Sequence, residues 1–381
     1  MSNLLRTRIS STPEMLAVFS DGMMIAHALA FETALASAQA AEGLIPQSVA
    51  AEIAQACAAI QIDPVTLADE AAFAGTLAIP LVKHLRAELQ GKAASAVHKG
   101  ATSQDLADTV LMLQVAAGGK LLASDLSRTC ASLYVLAEKY AATPATGRTL
   151  MQDAIPVSFG LRLAQAAANI DRAAQRLAAE VTAHAKLQLG GATGTRVGLE
   201  GKGDTIARHM AATLGLAVDA PWHARREGVA AIAAALGIVI GALGKLARDV
   251  SLMAQSAVAE AREPAIAGRG GSSAMMHKRN QTGCQVALSA ALRAPGLVAS
   301  VLAALPTEQE RGLGGWQAEG PVLAELFLLA AGSAEAMATT AMGLDVDEAA
   351  IARNLYAAGM GDDIGESAAI VSEFLSRRLE K

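Results

Sequence analysis

Apolar residues recur every three or four positions from Pro13 to Glu42, which predicts a long first helix opened by Pro13 and closed at Gly43. Shorter helical stretches follow at Gln47–Ala59, Pro64–Ala71 and Leu77–Leu89, separated by Asp63-Pro64, Gly75 and Gly91. Beyond Asp105 the scale changes. Leu106–Tyr140, Pro156–Gln188, Glu227–Arg262, Asn280–Leu305 and Pro321–Met342 each read as a long, Ala-rich helix, and five such rods make a bundle. Two short helices, Asp347–Ala357 and Ile364–Leu379, follow, and no repeat period is evident. The pattern predicts an all-α chain in three parts: a helical domain over 1–105, a central bundle over 106–344 and a short helical region over 345–381. Four intervening segments, Ala141–Ala154, Leu189–Gly203, Glu263–Gly271 and Pro306–Gly320, read as loops long enough to carry function.

Composition agrees with helices. Hydrophobic residues make up 52% of the 381 positions and aromatics only 3%, a balance dominated by Ala rather than by the β-branched and aromatic residues of sheets. The net charge of −5 leaves no footprint for nucleic acid. Cys57, Cys130 and Cys284 are far apart and odd in number, which suggests neither a disulfide framework nor a zinc cage and fits a reducing cytoplasm. Polar Ser10, Ser11, Thr12 and Pro13 stand where an export signal would be apolar. The uncharged run Gly228–Gly244 raises the membrane question but falls short of the roughly 20 residues a span needs, so a buried bundle helix is expected.

The most informative stretch is Gly268–Asn280, where glycines, the hydroxyls of Ser272 and Ser273, and the cations Arg269, Lys278 and Arg279 precede a long helix. Glycines let the backbone approach a ligand, helix N-terminal amides favour negative charge, and Lys278 adds a point charge for a carboxylate or phosphate. The same residues also read as an ordinary capped linker.

Gly-Ser-Ser-x-Met-x-x-Lys-x-Asn resembles the characteristic loop of the fumarase/aspartase superfamily. His98–Asp105 and Gly147–Gln152 resemble that family's other two conserved regions, in the same order along the chain. Gln309–Trp316, Arg293–Gly296 and Pro221-Trp222-His223 look most like the bacterial 3-carboxymuconate cycloisomerases within it. The resemblance implies a fumarase/aspartase-type fold, a homotetramer whose active sites are each shared between three subunits, a small polycarboxylate substrate, and no metal or organic cofactor. It also implies proton exchange at the carbon beside a carboxylate, through a dianionic intermediate whose stabilisation dominates the barrier. Ser272, with Ser273 as second choice, would move that proton. Lys278 and Asn280 would bind the charged carboxylate. His98, Thr102, Ser103 and Gln152 would orient the other carboxylates, and Arg148, Thr149 and Arg311 would complete the binding surface. Taken singly, Thr102 with Asp105 is also a helix-capping pattern, and Arg311 beside Glu310 a surface pair worth about 0–1 kcal/mol.

Departures from the family pattern carry information. Leu150 stands where adenylosuccinate and argininosuccinate lyases have a histidine that serves the leaving nitrogen. Lactonisation does not need that acid, because the attacking carboxylate, with a pKa near 4, is already ionised. Asp153 puts a carboxylate beside a polyanion site, and Met276 and Gln281 replace prolines of the loop. An adenylosuccinate-type lyase, a catalytically silent helical oligomer and, last, a membrane protein are the competing readings.

Overall fold

The computed structural model describes residues 4–272, 274–276 and 278–379. One turn of helix, α1 (Leu4–Thr7), leads to α2 (Pro13–Val18) and α3 (Asp21–Ala41). The long first helix is therefore broken: Ser20 ends the run by accepting the Met23 amide at 3.2 Å and starting α3 anew. Helices α4 (Gln47–Ala59), α5 (Pro64–Ala74), α6 (Ala78–Ala87) and α7 (Gly91–Ala96) complete the first region. Asp63 caps α5 through the amides of Val65 and Thr66, as its position before Pro64 suggests.

Helix α8 (Ser103–Lys139) crosses the molecule and ends in a β-hairpin, β1 (Pro144–Thr149) and β2 (Gln152–Ser158). Composition made this segment a loop, but Thr149 and Gln152 pair across a two-residue turn at Leu150-Met151. Both turn residues have positive φ, 51° and 68°, a conformation usually given to Asn-Gly, which is why the sequence hides the hairpin. Then come α9 (Phe159–His184), α10 (Gly203–Leu214) and α11 (Glu227–Met253), the last ending nine residues before Arg262. A short strand β3 (Ala261–Arg262) follows, then α12 (Thr282–Ala303), α13 (Gly315–Met342), β4 (Asp345–Val346) antiparallel to β3, α14 (Glu348–Ala358) and α15 (Ser367–Leu379). Helix α13 begins six residues earlier than its proline suggests, so Pro321 lies inside it. The Gln317 side chain accepts the Gly314 amide at 2.8 Å and closes the extra turn.

Helices α8, α9, α11, α12 and α13 pack together as the expected all-α bundle around Phe159, Leu163, Val239, Leu243, Leu326 and Phe327. Alanines and glycines let the rods approach closely: a Cβ on Gly244 would sit 2.7 Å from Cβ of Ala291. Four of these helices, α8, α11, α12 and α13, are long and apolar enough by length and composition to cross a membrane. In α11 and α13 two-thirds of the apolar window is buried within the protomer, whereas in α12 only 22% is. A second core gathers Phe31, Leu35 and Leu81 of the first region with Leu187, Leu199, Ile206 and Met210, so α10 packs on α3 although it lies far along the chain.

Candidate active site

The fold treats the three segments that the sequence marks as candidates for the chemistry differently. At the start of α8, Asp105 accepts the Thr102 amide at 3.0 Å, the reciprocal bond of a capping box. Its carboxylate also accepts the amides of Gly190 (2.8 Å) and Gly191 (2.9 Å), fastening the 189–194 loop to the helix end. Burial pushes the Asp105 carboxyl up to about 6 against the pull of these three amides. Arg311 arrives from the loop before α13 and donates from Nη2 to Thr102 Oγ1 at 2.9 Å and to the Ala192 carbonyl at 3.2 Å. Its guanidinium is thus joined to the Thr102 wall; no ion pair with Glu310 occurs among the described residues. Ser103 is half-buried at the first helical position.

His98 sits in the left-handed region at φ 60°, held by Glu32: the carboxylate accepts the His98 amide at 3.0 Å and meets Nδ1 at 2.5 Å. That contact fixes the ring, and Nε2 makes no hydrogen bond to a described residue. Beneath the wall, Arg226 is bidentate to Asp108 at 2.8 and 2.9 Å and also bonded to Glu319, all three buried. Gln104 donates to Asp108 at 3.2 Å and to the His223 carbonyl at 3.0 Å. The His223 ring is buried, with neither nitrogen hydrogen-bonded to a described residue, and burial followed by the Arg311 charge lowers its pKa.

The second segment is the hairpin. Leu150 at its tip is 93% exposed, and Thr149, Met151 and Gln152 beside it are exposed too. Arg148 points the other way, placing Nη1 and Nη2 at 2.9 and 2.6 Å from the buried Glu260. Glu260 also accepts from Asn354 of α14 at 2.9 Å and lies 3.4 Å from Arg162. Burial alone would raise the Glu260 carboxyl, but Arg148, Asn354 and Arg162 outweigh it and hold it low. Asp153 lies 3.5 Å from Arg148 Nε, so its charge is partly matched within the hairpin.

The third segment is the loop between β3 and α12. Ser272 Oγ accepts the amides of Met275 at 3.1 Å and Ala274 at 3.4 Å, so negative charge on that oxygen would face N–H donors. Lys278 and Asn280 lie on the returning limb: the Lys278 amide reaches the Met275 carbonyl at 3.0 Å, and the Asn280 amide the Gly270 carbonyl at 2.8 Å. Ser273 lies outside the described residues. Within one protomer the fold joins Thr102 with Arg311. Among the described residues, no hydrogen bond or ion pair connects Ser272, Lys278 or Asn280 with Thr102, Ser103, Thr149 or Gln152. No group of three or more His, Cys, Asp or Glu among them is placed to hold a metal ion.

Sequence reasoning passed over Glu32, Glu260, Glu263 and the Arg226 cluster. Glu32 carried a usable signal: it is a lone charge among Ala, Phe and Leu on a helix that buries that face.

Residues 7–296 match the family described as lyase. The chain belongs to the lyase family. This lyase is 44% identical over 361 residues to the 3-carboxy-cis,cis-muconate cycloisomerase of Bradyrhizobium diazoefficiens, covering 94% of this chain and 80% of that protein. It is 38% identical to the nitrosuccinate lyase of Streptomyces davaonensis, over 97% and 80%. Among solved structures, the 3-carboxy-cis,cis-muconate lactonizing enzyme from Pseudomonas putida superposes with a TM-score of 0.87 at 39% identity, covering 93% of this lyase and 79% of that chain. A fumarate lyase from Mesorhizobium superposes at 0.83 with 30% identity, over 97% and 87%, and the fold is thus the fumarase/aspartase type that the sequence suggests.

Proposed function

We propose that this lyase is a cytoplasmic cycloisomerase that closes 3-carboxy-cis,cis-muconate to 4-carboxymuconolactone, with residues 1–105, 106–344 and 345–381 as its three parts. The observation that carries the reading is the agreement of relatives bearing that activity in their names over nine-tenths of the chain. Leu150 supports it locally, since the exposed hairpin tip offers an alkyl group where a lyase releasing an amine would need an acid.

In the reaction, a substrate carboxylate oxygen bonds to the far alkene carbon, and the displaced electron pair moves onto the carboxylate next to the α-carbon. Lys278, Asn280 and loop amides bind that doubly charged carboxylate, the largest electrostatic demand of the path. The Ser272 O–H then gives its proton to the α-carbon, and solvent reprotonates the oxygen, which the Ala274 and Met275 amides stabilise meanwhile. Ser273 is the second choice for this transfer. Thr102, Ser103 and Arg311 form one wall for the remaining carboxylates, with His98 presenting Nε2 beside it; Thr149 and Gln152 form another. Arg148 acts by holding the hairpin through Glu260 and supplies positive potential.

We infer a homotetramer with sites shared between subunits. The apolar face of α12, where Leu292 is 84% exposed and Leu302 half-covered, is unpaired in one protomer and suits a helix-on-helix contact with a second copy.

The test is the ultraviolet absorbance of 3-carboxy-cis,cis-muconate with purified protein, because ring closure removes the conjugated diene. Absorbance falls with the wild type and about 10²–10⁴-fold more slowly with Ser272→Ala. Inertness toward this substrate together with release of fumarate from a succinyl compound would replace the reading with that of an eliminating lyase.

A further inference from the structure

The loop bearing Ser272 begins and ends at one side chain. Glu263 opens it, and its buried carboxylate accepts the amides of Gly283 at 3.0 Å and Cys284 at 2.7 Å, in the first turn of α12 on the far side of the loop. Gln281, at the N-cap position of α12, makes no side-chain cap, so the helix is capped from 20 residues upstream. The Glu263 main chain ties the same two limbs again: its amide donates to Gln281 Oε1 at 2.7 Å, and its carbonyl accepts from the Arg279 guanidinium. Arg269, inside the loop, sets Nη2 3.7 Å from the Glu263 carboxylate and donates from Nε to Thr282 Oγ1 at 3.1 Å. A Cβ at Gly283 would fall 2.4 Å from Arg269 Nη2, the movable end of a long side chain, and 3.1 Å from both Glu263 Oε2 and Thr340 Oγ1, so the limbs cross closely here. Three residues earlier, Glu260 holds Arg148 and Asn354, which roots the entrance of the loop in the body of the protein.

We propose that Glu263 is a positioning residue, a clasp that sets the register of both limbs of the loop and thereby aims Ser272, Lys278 and Asn280 without touching substrate. The catalytic part of this inference rests on the proposed role of Ser272; the clasp itself does not. Glu263→Gln keeps the shape but turns one acceptor into an NH₂ donor facing N–H groups and Arg269.

Hydrogen–deuterium exchange on the 381-residue chain tests the clasp directly. In Glu263→Gln, peptides spanning 264–284 exchange about tenfold faster, while peptides from α8 and α11 keep wild-type rates. With 3-carboxymuconate, kcat falls more than KM rises, because the proton-transferring group is displaced more than the binding walls. Arg269→Gln, at a part-exposed side chain, gives a smaller change in the same peptides and decides the matter if Glu263→Gln does not fold. Unchanged exchange over 264–284 in the folded variant, or acceleration throughout the bundle, overturns the proposal. Wild-type protein inert toward the substrate would defeat the functional reading while leaving the exchange result to judge the clasp.

Discussion

The Thr102 wall and the Ser272 loop are built on opposite principles. Around Thr102, groups across the fold fix one another: buried Asp105 accepts three amides, half-buried Arg311 spans Thr102 and Ala192, and buried Arg226 is locked between Asp108 and Glu319. Around Ser272, the bonds are local turns, and the tertiary ties gather at the stem, on Glu263, with Arg279 also 3.6 Å from Asp345. A wall that binds carboxylates, the role proposed for this one, gains from being rigid before substrate arrives, since its groups need no reorganisation. A segment that passes a proton to carbon, the role proposed for this one, must surround the substrate, and among its described residues the tertiary ties lie at the stem.

The largest effect that would sharpen this contrast is expected at Arg226. Arg226→Met removes a guanidinium that is 1% exposed and strands two buried carboxylates, which should cost about 3–5 kcal/mol in urea denaturation. Lys278→Ala in the exposed loop should change stability by less than about 0.5 kcal/mol while lowering turnover. Equal stability losses at the two sites would break the comparison.

A step smaller is Asp105→Ala, which orphans the amides of Thr102, Gly190 and Gly191 and should cost about 2–3 kcal/mol. The loss belongs to both the helix end and the 189–194 loop, so proteolysis near Arg196 should rise together with the fall in denaturation midpoint.

This region also shows how far sequence reading reaches. Helix positions were legible because burial in a bundle follows the 3.6-residue period, and the chemical segments were legible through motifs of fixed spacing. What the chain did not announce were pairings across long separations. Thr102 and Arg311 are 209 residues apart and Glu32 and His98 are 66 apart, and periodicity says nothing about which distant side chains meet. The hairpin stayed hidden because its turn is Leu150-Met151 rather than Asn-Gly, so two non-glycine residues at positive φ leave no compositional trace. Arg148 was read as a substrate-binding cation, and the structure commits its guanidinium to Glu260, a partner 112 positions away.

The smallest effect concerns pH and isolates Asp105 from the loop. Its carboxyl is raised from the usual 3.8 to about 6 in the folded chain. Between those two pH values the folded protein holds a proton that the unfolded chain has released, so this group's contribution to stability falls as pH rises and levels off above about 6. His223 works in the opposite direction: its lowered pKa means that the unfolded chain takes up a proton below about 6.5 that the fold refuses, and stability is lost as pH falls. The two slopes partly cancel in the wild type, so the informative quantity is the difference between wild type and Asp105→Asn, measured by urea denaturation from pH 4 to 7. Relative to Asp105→Asn, the wild type should lose about 2 kcal/mol across that range. Ser272→Ala, measured alongside, should keep the wild-type slope, because no described residue of the loop bonds to Asp105 or to the amides it holds. A flattened slope in Ser272→Ala would mean that the wall and the loop are one electrostatic unit rather than two.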